Sequence, residues 1–223
     1  MFTTNLKFKA GHLYVSIDEH DWLLDTGAPI TFGNINSLYI GNARFDIPNS
    51  YVGLTASQLS EFVGHATTGI IGTDILNKFN IIIDVKNEKV SFANDTVTLE
   101  GSSLEMAEYM GIPIIMAKIN GRNRKMFFDT GAQISYFQNE SLYSFPALGK
   151  FTDFFPGFGQ FQTNLYMVGA VIGTEQYKLR CGQLPKLLAM TLAQTGAEGI
   201  IGNEMLKDQV VGYFPGSKQL VLA

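Results

Sequence analysis

The sequence predicts an all-β chain built from two duplicated lobes, on three observations. The segment Trp22-Leu23-Leu24-Asp25-Thr26-Gly27-Ala28 returns as Met126-Phe127-Phe128-Asp129-Thr130-Gly131-Ala132. Gly69-Ile70-Ile71-Gly72 returns unchanged as Gly199-Ile200-Ile201-Gly202. The remaining chain is mostly short apolar or alternating runs parted by Gly, Asn or Asp, the pattern of strands joined by turns. Two segments repeated in the same order mean one structural unit used twice.

The elements follow in order. Leu6 to Ala10 and His12 to Ile17 read as strands, then a turn at Glu19-His20 leads into the apolar run that ends at Asp25. Thr55 to Val63 reads as a helix just before the first Gly-Ile-Ile-Gly, Asp74 to Phe79 as a short helix after it, and Asn80 to Val85 with Val90 to Phe92 as a hairpin. Polar and small residues from Asn94 to Met106 interrupt the pattern, placing a boundary between a first lobe of residues 1–100 and a second of 101–223. The second lobe runs through the same series: Ile112 to Asn120, a turn at Gly121-Arg122-Asn123, the run into Asp129, a helix at Leu184 to Gln194 and a short one at Glu204 to Lys207. The chain's first and last strands are expected to tie the lobes together.

The copies differ in length. The stretch from Asp129 to Gly202 is 26 residues longer than that from Asp25 to Gly72, and the surplus lies about Glu140 to Tyr166. There Phe154-Phe155-Pro156-Gly157-Phe158-Gly159-Gln160-Phe161 sets Pro and two Gly between apolar runs, which predicts an exposed hairpin. The corresponding Phe45 to Thr55 is too short for one, so the first lobe is expected to be flapless.

Composition bounds the function. At 223 residues, 46% hydrophobic and 16% charged, with 17 Phe, the chain can fill a core and is no disordered tail. Its net charge of −4 and scattered basic residues provide no cationic stripe, so neither nucleic acid nor a membrane is an expected partner. Cys181 is the sole cysteine, which excludes an internal disulfide and a thiolate metal cluster. The N-terminus lacks a basic stretch followed by an apolar run, and no apolar window is long enough to span a bilayer, so a cytoplasmic location is the expectation. His12, His20 and His65 show no ligand spacing and read as surface or turn residues, and no metal or cofactor is expected.

The repeated Asp-Thr-Gly-Ala carries the chemistry. An Asp at the end of an apolar strand, followed by Thr and Gly, puts a carboxylate on a tight turn where only glycine lets backbones approach. Two such turns face to face make a dyad of Asp25 and Asp129 that shares one proton, because carboxylates about 3 Å apart do not both ionise. The ionised member activates a water and its protonated partner polarises a carbonyl. The hydroxyls of Thr26 and Thr130 are suited to bonding across the interface.

With these motifs the sequence resembles the pepsin and retropepsin superfamily of aspartic proteases over nearly its whole length. The resemblance implies a bilobal fold of two β-barrel lobes with a few short helices, and an aspartic endopeptidase that works as a monomer on a peptide or protein substrate with apolar preference. It implies Asp25 and Asp129 as catalytic residues, with Thr26, Gly27, Ala28, Thr130, Gly131 and Ala132 supporting them. Gly72 and Gly202 would pack behind the two loops. Gly157, Phe158, Gly159 and Phe161 would form a substrate-covering flap, although Phe158 and Phe161 read equally well as packing on their own hairpin. Departures are visible. Ala28 and Ala132 stand where pepsin-like enzymes have Ser or Thr, as in retroviral enzymes, which implies an optimum less acidic than pepsin's. Pro29 and Gln133, with Thr73 and Asn203, replace the ion pair of the retroviral enzymes, and the flap lies in the second lobe where pepsin has it in the first. The rival readings are a catalytically silent peptide-binding module of the same fold and a structural protein whose carboxylates are buried turn residues.

Overall fold

The computed structural model describes residues 1–223, and β-strands dominate it. Four hairpin turns organise the repeated strands, and all eight central residues take the positive φ that matches the twist of the flanking strands: Ala10-Gly11, Asp18-Glu19, Met110-Gly111 and Asn120-Gly121. The second and fourth lie one residue or so before the turns read from sequence.

These hairpins feed two large sheets. In the first, His12–Ile17 pairs with His20–Leu24, which lies parallel to Gly69–Ile71 with Trp22 opposite Gly69 and Leu24 opposite Ile71. In the second, Ile112–Ile119 pairs with Arg122–Phe128, which lies parallel to Gly199–Ile201 with Met126 opposite Gly199 and Phe128 opposite Ile201. The same register occurs twice, as the sequence repeat demands. The second sheet has eight strands and curls on itself, because Ile112–Ile119 also pairs with Gly159–Ile172.

The ten-stranded first sheet draws on both ends of the chain. Val210–Phe214 pairs with Asn80–Asp84, setting Tyr213 opposite Ile81, and Gln219–Leu222 pairs with both Val210–Phe214 and Ser102–Glu105. The closing strands therefore complete a sheet begun by the first residues, whereas the opening strand Phe2–Lys9 pairs within its own half. Ser102–Glu105, read from sequence as part of a boundary, is the edge strand of that sheet.

Packing follows the same plan. A cluster of 37 buried residues takes side chains from both halves, among them Trp22, Leu24, Met126 and Phe128. Smaller clusters lie on the other faces of the strands that lead into Asp25 and Asp129, one around Leu23, Phe32 and Ile70 and one around Phe127, Tyr136 and Ile200. The helices are few and short. Helix α1, Ala56–Val63, starts with Thr55 and Gln58 in a capping box, buries Ala56, Leu59 and Val63 on one face, and stops at Gly64 with φ 67°. Helices α2, Thr73–Leu76, and α3, Lys186–Gln194, follow and precede the two glycine-rich strands. No helix is long and apolar enough to cross a membrane.

The surplus of the second half forms one long hairpin, Ala147–Phe155 with Gly159–Ile172, turning through Pro156-Gly157-Phe158. Its opposite number is small: Ser50–Tyr51 and Leu54–Thr55 pair over two residues each.

Candidate active site

Each parallel strand pair ends in a loop that presents an aspartate. The Asp25 N–H donates to Ile71 O at 3.1 Å and the Asp129 N–H to Ile201 O at 3.0 Å, so each loop begins where its glycine-rich strand ends. Beyond it the chain passes close behind the loop: Thr73 N–H donates to Ala28 O at 2.8 Å and Asn203 N–H to Ala132 O at 2.9 Å. The closeness explains the glycines, since a Cβ on Gly72 would stand 2.6 Å from Ala28 O and one on Gly202 would stand 2.4 Å from Ile134 O.

The two threonines lock the loops together. Thr26 Oγ1 donates to Phe128 O at 2.7 Å and accepts from Thr130 N–H at 3.0 Å. Thr130 Oγ1 donates to Leu24 O at 2.7 Å and accepts from Thr26 N–H at 3.0 Å. Both residues are buried, so water does not compete for these four bonds.

The lock brings the aspartates face to face. Asp25 Oδ1 accepts from the N–H groups of Gly27 and Ala28, both at 2.9 Å, while Asp129 Oδ1 accepts from Gly131 at 2.9 Å and Ala132 at 3.1 Å. A Cβ on Gly27 would lie 2.3 Å from the carboxyl carbon of Asp129, and one on Gly131 would lie 2.4 Å from that of Asp25. Each carboxyl thus abuts the opposite loop, close enough that the two influence each other's titration. Burial holds Asp25 well above the usual carboxylate range, and the charge of Asp129 adds to this against the pull of the Gly27 and Ala28 amides. Burial raises Asp129 too, but the amides of Ala132 and Gly131 and a hydrogen bond from Asp25 oppose it. Both carboxyls are thus raised and titrate as one pair, so a single proton is held between them above the usual carboxylate range.

Both carboxyls stand in a cleft of about 390 Å³. Leu23, Phe32 and Ile70 of the first half and Ile112, Tyr136 and Ile200 of the second line it, Tyr136 and Ile200 being the repeat counterparts of Phe32 and Ile70, together with Phe154, Phe155, Pro156 and Phe161 of the long hairpin. Its strand reaches helix α1, where Phe154 stacks on Phe62 with ring centres 4.8 Å apart.

Against known proteins, the chain is similar to the crystal structure of the aspartic proteinase from Irpex lacteus, with a TM-score of 0.56 over 99% of this chain and 96% of that one. The fold is pepsin-like. Identity is only 11%, and neither a protein-family model nor a curated protein matches the sequence.

Within this pepsin-like fold, Asp25, Gly27, Ala28, Asp129, Gly131 and Ala132 line the cleft, while Thr26, Thr130, Gly72 and Gly202 stand behind it. Of the four hairpin residues singled out from sequence, Phe161 lines the cleft. Phe158 is 41% exposed and packs edge-on against Phe161, Gly157 lies at the tip beside Val52, and Gly159 faces open space.

His12 is a correction. Expected at the surface or in a turn, it is 5% exposed, lines the cleft, and donates from Nδ1 to Gly131 O at 3.0 Å. Burial lowers its pKa, outweighing the Gly131 carbonyl and the charge of Asp153. Matching the repeats on Gly11 and Gly111 sets His12 opposite Ile112, and that pairing was the signal for an inward position. Tyr136 and Asp153 were also missed, since they lie 17 residues apart and meet only because the hairpin folds back: the Tyr136 hydroxyl donates to the Asp153 carboxylate. No group of three His, Cys, Asp or Glu side chains is placed to hold a metal ion.

Proposed function

We propose that this chain is an aspartic endopeptidase acting as a single polypeptide, with Asp25 and Asp129 as its catalytic pair. The observation that carries the reading is the reciprocal Thr26–Thr130 lock, which holds two partly buried carboxyls opposite each other in an apolar cleft. The pepsin-like fold supports it.

In this reading an extended peptide lies in the cleft under the hairpin. Asp129, ionised, takes a proton from a water between the carboxyls as that water's oxygen bonds to the scissile carbonyl carbon. Asp25 gives its proton to the carbonyl oxygen, producing a neutral tetrahedral diol. Asp129 then passes its proton to the amide nitrogen as the carbon–nitrogen bond breaks, and a diol hydroxyl returns a proton to Asp25. The pair ends as it began, and no covalent intermediate forms. Leu23, Phe32, Ile70 and Ile200 favour apolar side chains.

Digestion of a peptide library between about pH 4 and pH 7, read by mass spectrometry, tests the proposal. Cleavage is expected from the wild type and from neither Asp25→Asn nor Asp129→Asn, while a statine-type transition-state mimic raises the melting temperature of the wild type. Undiminished cleavage by either variant would remove the dyad mechanism.

A further inference from the structure

The two walls of the cleft are related by the sequence repeat, yet they differ at one chemically decisive place. Phe32 lies opposite Ile70 in its sheet, and Tyr136 lies opposite Ile200 in the other, so these rings occupy corresponding positions. Tyr136 adds a hydroxyl, and that hydroxyl donates to the carboxylate of Asp153 on the hairpin strand Ala147–Phe155. The second Asp153 oxygen accepts from the Phe154 N–H at 2.8 Å. Both contacts come from neutral groups, and each oxygen keeps a free lone pair.

Asp153 lines the cleft, but no lysine or arginine does. It takes part in none of the protein's ion pairs. His12, the remaining nitrogen base in the lining, spends Nδ1 on Gly131 O at 3.0 Å and makes no hydrogen bond to Asp153, and burial lowers its pKa. The carboxylate is thus fixed in orientation, has the Tyr136 hydroxyl and its cross-strand partner Phe161 as aromatic neighbours, and is unmatched by any lysine or arginine of its own chain. Aromatic faces suit the long stem of a basic side chain and attract its charge, while a fixed carboxylate receives its N–H donors.

We infer that Asp153 and Tyr136 form a specificity site for one lysine or arginine side chain of the bound peptide, on the second-half side of the aspartate pair. The inference rests on the peptide-cleft reading above and narrows it: apolar residues fill most of the cleft, and one position beside the dyad takes a basic residue. Since the Phe32 side has no counterpart, the site also fixes the direction in which a peptide lies.

The test separates recognition from catalysis. In an Asp25→Asn/Asp129→Asn protein, Asp153 is the one carboxylate left in the cleft lining, so any charge preference belongs to it. Fluorescent peptides carrying Lys, Arg, norleucine or citrulline at each position in turn are titrated into this protein by anisotropy. At one position the Lys and Arg peptides should bind about tenfold or more tighter than the norleucine and citrulline ones, the range for a hydrogen bond to a charged group. Adding the isosteric Asp153→Asn should bring the four peptides to within about twofold of each other, and Tyr136→Phe should weaken the preference without abolishing it. Equal affinities at every position, a preference that survives Asp153→Asn, or no peptide binding would each overturn the inference. Loss of cleavage by the wild type with this preference intact would remove the protease reading and leave the site standing.

Discussion

Replacing Thr26 by valine removes one hydroxyl and almost no volume, and the structure says what that hydroxyl is worth. Thr26 is 1% exposed and Thr130 fully buried, so no water takes the vacated place. The Phe128 carbonyl loses a donor at 2.7 Å and the Thr130 N–H an acceptor at 3.0 Å. A buried polar group deprived of its partner costs about 1–3 kcal/mol, so the pair costs about 2–6 kcal/mol. That is a large part of the roughly 5–15 kcal/mol typical of a folded protein. Urea unfolding followed by the fluorescence of Trp22, the single and fully buried tryptophan, reads the loss directly. In Thr26→Val/Thr130→Val the two losses should fall short of additive by about 0.5–3 kcal/mol, because loops freed by the first change have less left to lose. Neither threonine lines the cleft, so kcat should fall more than KM rises. A Thr26→Val protein within about 0.5 kcal/mol of wild type and with kcat intact would refute the claim that this lock sets the carboxyl separation.

Three further outcomes follow from the same geometry. Gly131→Ala puts a Cβ 2.4 Å from the Asp25 carboxyl carbon, so peptide cleavage should fall at least about 100-fold while circular dichroism shows the strands retained, and near-normal activity would contradict the packing. Asp25 has a folded pKa raised above its unfolded value of about 3.9, so between the two values the folded state holds a proton that the unfolded chain has released. Stability from this group is complete below the unfolded value and is lost as pH rises through the folded one; the melting temperature of Asp25→Asn relative to wild type should climb from pH 4 to pH 8, and a flat difference would refute the shift. Phe62→Ala removes the stack that joins helix α1 to the hairpin, worth about 0.5–1.5 kcal/mol, and amide exchange across Ala147–Phe155 should quicken by roughly 2–10-fold or the stack does not hold the hairpin down.

The repeat made the candidate site legible because it is written twice in consecutive residues. Asp-Thr-Gly-Ala and Gly-Ile-Ile-Gly each encode a local shape, a strand end and a close backbone approach, and two copies in one order leave a paired arrangement as the economical solution. Helix α1 was legible for a similar reason, since Thr55, Gln58 and Gly64 supply its start and stop within ten residues. The pairing of Val210–Phe214 with Asn80–Asp84 had no such local sign. Alternating apolar residues announce a strand but not its neighbour, and these partners are more than a hundred residues apart. Ser102–Glu105 fails the other way: its alternation is half-exposed, as suits an edge strand, and so resembles a linker.

What the sequence hides most completely is which side chains make the two walls of the cleft differ, and that has a physical cause. The repeat fixes the parts that must match for two carboxyls to share a proton, and these tolerate little change: each loop glycine backs onto the opposite aspartate, and each threonine bonds to the opposite strand. A peptide has two different ends, so a symmetric cleft would bind it equally well in both senses. Direction therefore has to come from residues outside the repeated motifs. The long hairpin, His12 against Ile112, and the Tyr136–Asp153 pair against Phe32 all lie there; the hairpin shows in the sequence as the surplus of the second copy, whereas Tyr136 and Asp153, 17 residues apart, meet only when that hairpin folds back. The paired carboxyls are thus read from a duplicated word, whereas the Tyr136–Asp153 contact that breaks the symmetry of the cleft appears only when the chain is folded.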